Sequence, residues 1–229
     1  MSGLPKPKLV IFDLDGTLVD SAADIALAAN RTFAGLELPE QSLPQIKQWI
    51  GGGAQIFVEK ALSFFNQSER FAPAYELFME HYRAVPADSS NIFDGVESFL
   101  EHLYQQQIAM AVVSNKPHEL IPPILQHLQI EHYFDRVLGG DSLTLKKPEP
   151  EPLLHVCRHH QVDPAECWMV GDSSKDADAA ERAKMPFIGV SYGYAMTDID
   201  IRPQQVPHKV VDNLSQLIPL INAEQEVYA

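Results

Sequence analysis

The chain has 229 residues, 45% of them hydrophobic and 21% charged, enough for one large domain or two modest ones whose core needs no disulfide or metal staples. Its formal net charge of −14 argues against nonspecific nucleic-acid binding, which needs a basic face to displace counterions; any anionic substrate must be drawn in by local cations or a metal. No apolar run approaches the roughly 20 residues that span a bilayer, and no signal-peptide pattern opens the chain, so no membrane partner is expected. Cys157 and Cys167, ten positions apart, read as two lone reduced thiols of a cytoplasmic protein.

In chain order, Leu9-Val10-Ile11-Phe12 is a short apolar run that stops at Asp13, the pattern of a buried parallel strand ending in a polar loop. From about Ala22 to Ser90 there is no strand pattern, only helical ones such as residues 54–65 and 74–84. Roughly 70 residues of helix is too much for a single crossover, so this stretch is expected to be a helical lid over the strand C-termini. Beyond it, strands predicted at 108–113, around 136–138, and at 168–170, 187–190 and 209–211 alternate with helices at 96–106, 118–128, 152–160, 176–183 and 214–221. That alternation predicts an α/β fold: a doubly wound, mainly parallel Rossmann-like sheet with a small helical cap inserted after the first strand. The expected division is a catalytic core of residues 1–20 and 91–229 and a helical cap of residues 21–90. The proline-dense Lys147-Pro148-Glu149-Pro150-Glu151-Pro152 predicts an extended loop before a helix.

The apolar runs end in polar groups. The first ends in Asp13-Leu14-Asp15-Gly16-Thr17, whose aspartates lie two apart and project the same way while the chain is extended. Gly16 permits a sharp turn there. Paired carboxylates repel, which raises one pKa or demands a cation; a capped polar turn is the plainer reading. The second run ends in Ser114-Asn115-Lys116-Pro117, where a hydroxyl before a helix start suits phosphate but also suits an ordinary N-cap. Lys147 brings an ammonium to the same edge, where an isolated lysine would merely be solvated. Trp168-Met169-Val170 runs into Gly171-Asp172-Ser173-Ser174-Lys175-Asp176, adding two carboxylates at a helix start, where an aspartate also serves as a cap.

Taken in this order, the four segments resemble the haloacid dehalogenase-like hydrolase superfamily over essentially the whole chain, with the helical insertion resembling that superfamily's cap. Trp49-Ile50-Gly51-Gly52-Gly53-Ala54, Leu138-Gly139-Gly140-Asp141, the stretch from Lys146 to Leu154 and Val190-Ser191-Tyr192-Gly193-Tyr194 are similar to bacterial phosphoglycolate phosphatases, whereas Ala183-Lys184-Met185 departs from their usual Ala-Gly-aliphatic. The resemblance implies that Asp13 attacks phosphorus to form an aspartyl phosphate, and that Asp15 protonates the leaving alkoxide and later activates water. It implies Mg²⁺ held by Asp13, the backbone carbonyl of Asp15 and Asp172, since hard oxygen ligands suit that ion. Ser114, the N–H of Asn115 and Thr17 would hold phosphate oxygens, Gly51 and Gly52 would reach the substrate from the cap, and Lys147 would neutralise the phosphoryl group. Asp176, with Gly171 and Ser173, would support Lys147 or the metal's waters.

The implied partner is a small phosphorylated metabolite, 2-phosphoglycolate first; a pyrophosphatase, a sugar-phosphate phosphatase and a phosphosugar mutase are the alternatives. A phospho-accepting receiver module is the reading from another class, disfavoured because the paired acids open the first loop and the chain is long. With all four aspartates ionised, Mg²⁺ and Lys147 would leave the pocket near about −1, so Asp15 is expected to bind substrate protonated. His155 and His159, four apart with Cys157 between them, have metal-like spacing but no completing acid. The glycines 51–53 lack the Lys-Ser/Thr of a nucleotide-binding P-loop. Lys47, or another cap cation, is a candidate to meet a substrate carboxylate.

Overall fold

The first strand, β1 (Leu9–Phe12), is buried along its whole length, and its side chains alternate between two apolar clusters. Val10 and Phe12 join one, Leu9 and Ile11 the other, as the two-residue period of a strand requires. A strand buried on both faces must lie inside a sheet covered on both sides. The computed structural model, which describes residues 4–84, 87–195 and 208–222, has that arrangement.

Among the described residues the strands are β1, β2 (Val19–Asp20), β3 (Asn91–Ile92), β4 (Ala109–Val113), β5 (Arg136–Leu138), β6 (Cys167–Gly171), β7 (Phe187–Val190) and β8 (Lys209–Val211). Six form one parallel sheet in the order β5-β4-β1-β6-β7-β8. The helices are α1 (Ala22–Gly35), α2 (Leu43–Lys47), α3 (Ala54–Phe64), α4 (Phe71–Ala84), α5 (Val96–Gln105), α6 (Ile121–His127), α7 (Glu151–His160), α8 (Ser174–Ala183) and α9 (Ile218–Asn222). Residues of α5, α6 and α9 pack with one sheet face; those of α7 and α8 pack with the other. This is the doubly wound α/β fold that the alternation predicted.

Two expected helices begin differently from the simple pattern. The stretch 118–128 opens with a 3₁₀ turn, His118–Leu120, before α6, and 214–221 opens with one at Leu214–Leu217 before α9. Pro122 and Pro123 fall in the first turn of α6, and Pro219 follows the first residue of α9, positions where a missing N–H breaks no helical bond.

The stretch between β2 and β3 is helical and has its own apolar cluster. Ile25, Ala29 and Phe33 of α1, Phe57, Val58, Ala61 and Leu62 of α3 and Phe78 and Tyr82 of α4 recur at three- and four-residue spacings and are buried together. The ribbon of β2 and β3, which the sequence did not predict, joins the entry and exit of this stretch by pairing Val19 with Ile92 and Asp20 with Asn91. Asp24 reinforces it: this buried carboxylate accepts from Ser89 N (2.9 Å) and Ser90 Oγ (2.6 Å).

The two cysteines are free thiols, as expected, but lie side by side. Cys157 of α7 and Cys167 of β6 are both buried, with their sulfurs 3.7 Å apart and no disulfide between them. Packing of α7 on the sheet brings together residues whose separation in sequence carried no pairing pattern. No helix among the described residues is long and apolar enough to cross a membrane.

Candidate active site

β1 lies between β4 and β6, with Phe12 beside Val112 on one side and Val170 on the other. Because the three strands are parallel and in register, the loops that follow them emerge together at the C-terminal edge, where the order of strands reverses direction. Asp13 begins the first loop, Ser114 the second and Asp172 the third. The backbone N–H of Asp13 still donates to Val170 O at 2.9 Å, so its carboxylate leaves the sheet from a fixed point.

Around Asp13 the side chains form a buried ionic cluster. Lys147 Nζ lies 3.0 Å from Asp13 Oδ1 and 2.6 Å from Asp176 Oδ1. Leu14 N also donates to Asp13 Oδ1, at 2.7 Å. Carboxylate oxygens of Asp13, Asp172 and Asp176 lie within 4.8 Å of one another. Asp172 Oδ2 accepts from Tyr194 N at 2.7 Å. Both oxygens of Asp176 are engaged: Oδ1 by Lys147, Oδ2 by Ser173 Oγ and Ser173 N at 2.6 and 3.1 Å. Asp176 and Ser173 thereby form a capping box at the start of α8, and the same carboxylate contacts Lys147.

The glycines of these loops leave room for carboxylates. Gly16, at φ +83°, would place a Cβ 2.4 Å from Asp172 Oδ2, and a Cβ on Gly171 would come 2.4 Å from Asp176 Cγ. Side chains at either position would displace the acids.

Burial pushes the Asp13 carboxyl up to about 6, with Asp176 and Asp15 adding to the rise and Lys147 opposing it. Burial, then the nearby Asp176 and Asp13, hold Asp172 well above the carboxylate range. For Lys147 burial pulls downward, but Asp13 and Asp176 outweigh it and the ammonium is held above its ordinary value. Three buried acids facing one ammonium form an electron-rich, all-oxygen set that fits a hard divalent cation. Asp13 and Asp172 are the members suited to bind it, because Asp176 is already occupied by Lys147 and Ser173.

Asp15, two residues beyond Asp13, is held differently. Its Oδ1 accepts from Lys116 Nζ at 2.6 Å and from Ser21 Oγ. A cavity opens beside it, lined on the core side by Asp13, Asp15, Ser114, Asn115, Lys116 and Pro117. Its opposite wall comes from the insertion: Ile25, Ile50, Gly51, Gly53, Ala54, Phe57, Phe78 and Tyr82. Asn115 Nδ2 donates to Lys147 O (2.9 Å) and Gly51 O (3.3 Å), tying the second loop to the lysine loop and to the insertion. Gly51 therefore faces the cavity, whereas the carbonyl of Gly52 accepts from Lys146 Nζ at 3.1 Å. Thr17 is fully buried behind the first loop, its carbonyl accepting from Tyr192 OH at 2.8 Å.

Several residues here had no role in the sequence reading. Lys116 follows Ser114 and Asn115 in the same tetrapeptide, and that adjacency is its only signal in the sequence. Tyr82 lies within the helical pattern of residues 74–84, and nothing in that pattern sets it apart. Tyr194 donates from its N–H to Asp172 and from its hydroxyl to Asp20 (2.6 Å), and its hydroxyl accepts from Ala22 N (3.0 Å), linking the acid cluster to the start of the insertion. Lys47 lies over the Tyr194 ring, 4.9 Å from its centroid, and is not part of the cavity wall. His159 pairs with Arg136 on the surface at 2.8 Å, away from the acids.

The haloacid dehalogenase-like hydrolase family model matches residues 10–190, which contain the loops that carry Asp13, Ser114, Lys147 and Asp172. The chain belongs to this family. Among curated relatives, phosphoglycolate phosphatase 1 of Pseudomonas aeruginosa is 35% identical, over 96% of this chain and 82% of its own length. A phosphoglycolate phosphatase of Vibrio vulnificus is 38% identical, over 93% of this chain and 96% of its own. Among solved structures, a predicted phosphoglycolate phosphatase from Haemophilus somnus superposes with a TM-score of 0.85 at 32% identity, covering 95% of this chain and 99% of its own.

Proposed function

We propose that this chain is a Mg²⁺-dependent, cytoplasmic phosphatase of small phosphate monoesters, with 2-phosphoglycolate its first substrate. Residues 21–90 serve as its cap over a core of residues 1–20 and 91–229. The observation that carries the reading is the buried set of Asp13, Lys147, Asp172 and Asp176, with Asp15 turned to the cavity beside it. The names of the full-length relatives support the choice of ester.

In this reading Asp13 Oδ2 attacks phosphorus and the bond from phosphorus to the ester oxygen breaks. Asp15 delivers a proton to that oxygen from Oδ2, the oxygen that neither Lys116 nor Ser21 holds. The alcohol leaves; Asp15 then takes a proton from water as the water attacks the aspartyl phosphate, releasing inorganic phosphate and restoring Asp13. Lys147 balances charge on the phosphoryl oxygens, Ser114 and the Asn115 N–H hold them, and Asp176, Gly171 and Ser173 keep Lys147 in place; Thr17, buried away from the cavity, supports the first loop rather than the phosphate. When bound at Asp13, Asp172 and the Asp15 carbonyl, Mg²⁺ supplies the positive charge that lets a dianion approach a carboxylate nucleophile. Gly51 lies in the cap loop closing over the ester, while the Gly52 carbonyl is turned to Lys146.

Lys116 changes the charge count made from the sequence. Four aspartates meet two ammonium groups, and a divalent ion brings the sum to zero, so charge balance alone no longer calls for a proton on Asp15. A panel of phosphorylated metabolites, assayed for released phosphate with Mg²⁺ and with chelator, tests the proposal. 2-Phosphoglycolate should rank among the best by kcat/KM, and chelator should abolish turnover; a poor rank removes this substrate, and chelator-resistant activity removes the metal.

A further inference from the structure

Two ammonium groups reach the site, and only one is accounted for by the reaction. Lys147 is engaged by Asp13 and Asp176 at the phosphoryl end. Lys116 is as deeply buried, 4% exposed, and stands at the other end, 2.6 Å from the carboxylate of Asp15. Beyond Asp15 its ammonium faces the insertion, 4.8 Å from the centroid of the Tyr82 ring. A lysine so placed loses its hydration and is held by one carboxylate and one aromatic face.

The Tyr82 hydroxyl supplies a second, independent observation. Tyr82 is 3% exposed and lines the cavity, yet its hydroxyl has no hydrogen-bond partner among the described residues. Burial, with Asp15, Asp24 and Tyr194 adding to it, holds the phenol well above its ordinary value, so it is a neutral O–H donor. A buried donor without an acceptor is costly, and in a ligand cavity the ligand is the natural acceptor. The wall around it is otherwise apolar, through Ile25, Ile50, Phe57 and Phe78.

We propose that Lys116 Nζ and Tyr82 Oη form an anion subsite for a carboxylate carried on the substrate's short organic portion. This deepens the phosphatase reading above and rests on it. The leaving oxygen lies at Asp15, so the remainder of the alcohol extends past Asp15 into the space that Lys116 and Tyr82 border. A carboxylate one or two carbons from that oxygen meets an ammonium from the core and a hydroxyl from the insertion at once. The subsite straddles the two parts of the molecule and selects short acidic phosphate esters over neutral ones. The selecting cation comes from the core, whereas Lys47 of the insertion stacks on Tyr194.

The test compares kcat/KM for acid and neutral esters of similar size: 2-phosphoglycolate against 2-hydroxyethyl phosphate, and 3-phosphoglycerate against glycerol 3-phosphate. The wild type should favour the acid of at least one pair, Lys116→Met should lower that acid-to-neutral ratio by at least about tenfold, and Tyr82→Phe by about threefold or more. Any slowing caused through Asp15 affects both esters and cancels in the ratio. A wild type with no acid preference, or ratios unchanged in both variants, overturns the subsite. If Lys116→Met does not fold, Tyr82→Phe, which removes one oxygen, decides alone. A Lys116-dependent preference confined to the three-carbon pair would leave the subsite standing while removing 2-phosphoglycolate as the substrate. Should no ester be hydrolysed, calorimetric binding of 3-phosphonopropionate against propylphosphonate reads the same ratio without turnover, with the same outcomes for the two variants.

Discussion

The two walls of the cavity are built on opposite plans. On the core wall, charged groups are braced by short hydrogen bonds: Asp13 by Lys147 and the Leu14 N–H, Asp15 by Lys116 and Ser21, with Lys147 held in turn by Asp176. On the insertion wall the side chains are aliphatic or aromatic, and one polar atom, the Tyr82 hydroxyl, is left without a partner among the described residues. A braced polar wall is preorganised for charge that changes during a reaction. An apolar wall with one unpaired donor gains only from a ligand of matching shape and polarity. The contrast separates chemistry, which the core supports, from discrimination, which arises where the insertion meets it.

The strongest way to break that contrast is to disable the core wall while leaving the other intact. Asp13→Asn keeps the shape of the side chain and removes its nucleophilic charge, so kcat should fall at least about 1,000-fold with an unchanged circular dichroism spectrum. Substantial residual turnover would take the nucleophile away from Asp13. Lys147→Met should act on stability as well, because it leaves Asp13 and Asp176 buried beside each other without their cation. The expected loss in the metal-free protein is about 3–5 kcal/mol by denaturant titration. A loss below about 1 kcal/mol would mean that the cluster is not braced by this lysine.

The pH dependence sharpens the comparison further. The folded Asp13 carboxyl sits at about 6, above its ordinary 3.8, so between these values the folded state binds more protons than the unfolded one. In the metal-free protein this group's contribution should therefore decline as pH rises from about 4 to 7, by an amount on the order of 3 kcal/mol. Asp172, shifted in the same direction, adds to it. Asp13→Asn should flatten the profile of Tm against pH. Mg²⁺ should stabilise the protein more at pH 7.5 than at pH 5, where protons compete for the same oxygens; equal stabilisation at both would place the ion elsewhere. The smallest effect belongs to the exposed contact between insertion and core, Arg83 NH2 to Glu119 Oε1 at 2.7 Å. A double-mutant cycle there should give a coupling below about 1 kcal/mol, because half-exposed ions recover hydration when separated.

Sequence alone determined the sheet and most of the core wall. Strands buried on both faces declare themselves as unbroken apolar runs, and in a parallel sheet the residue that ends each run must emerge at one edge, so Asp13, Ser114 and Asp172 were legible as neighbours. The tertiary structure decided what surrounds them. Lys116 and Tyr82 meet across the join between core and insertion, Tyr194 reaches back to Asp20, and the two cysteine sulfurs lie in contact. Those encounters depend on how helices pack against strands far away in the chain. Helical periodicity reports which face of a helix is buried, but carries no record of what that face will touch.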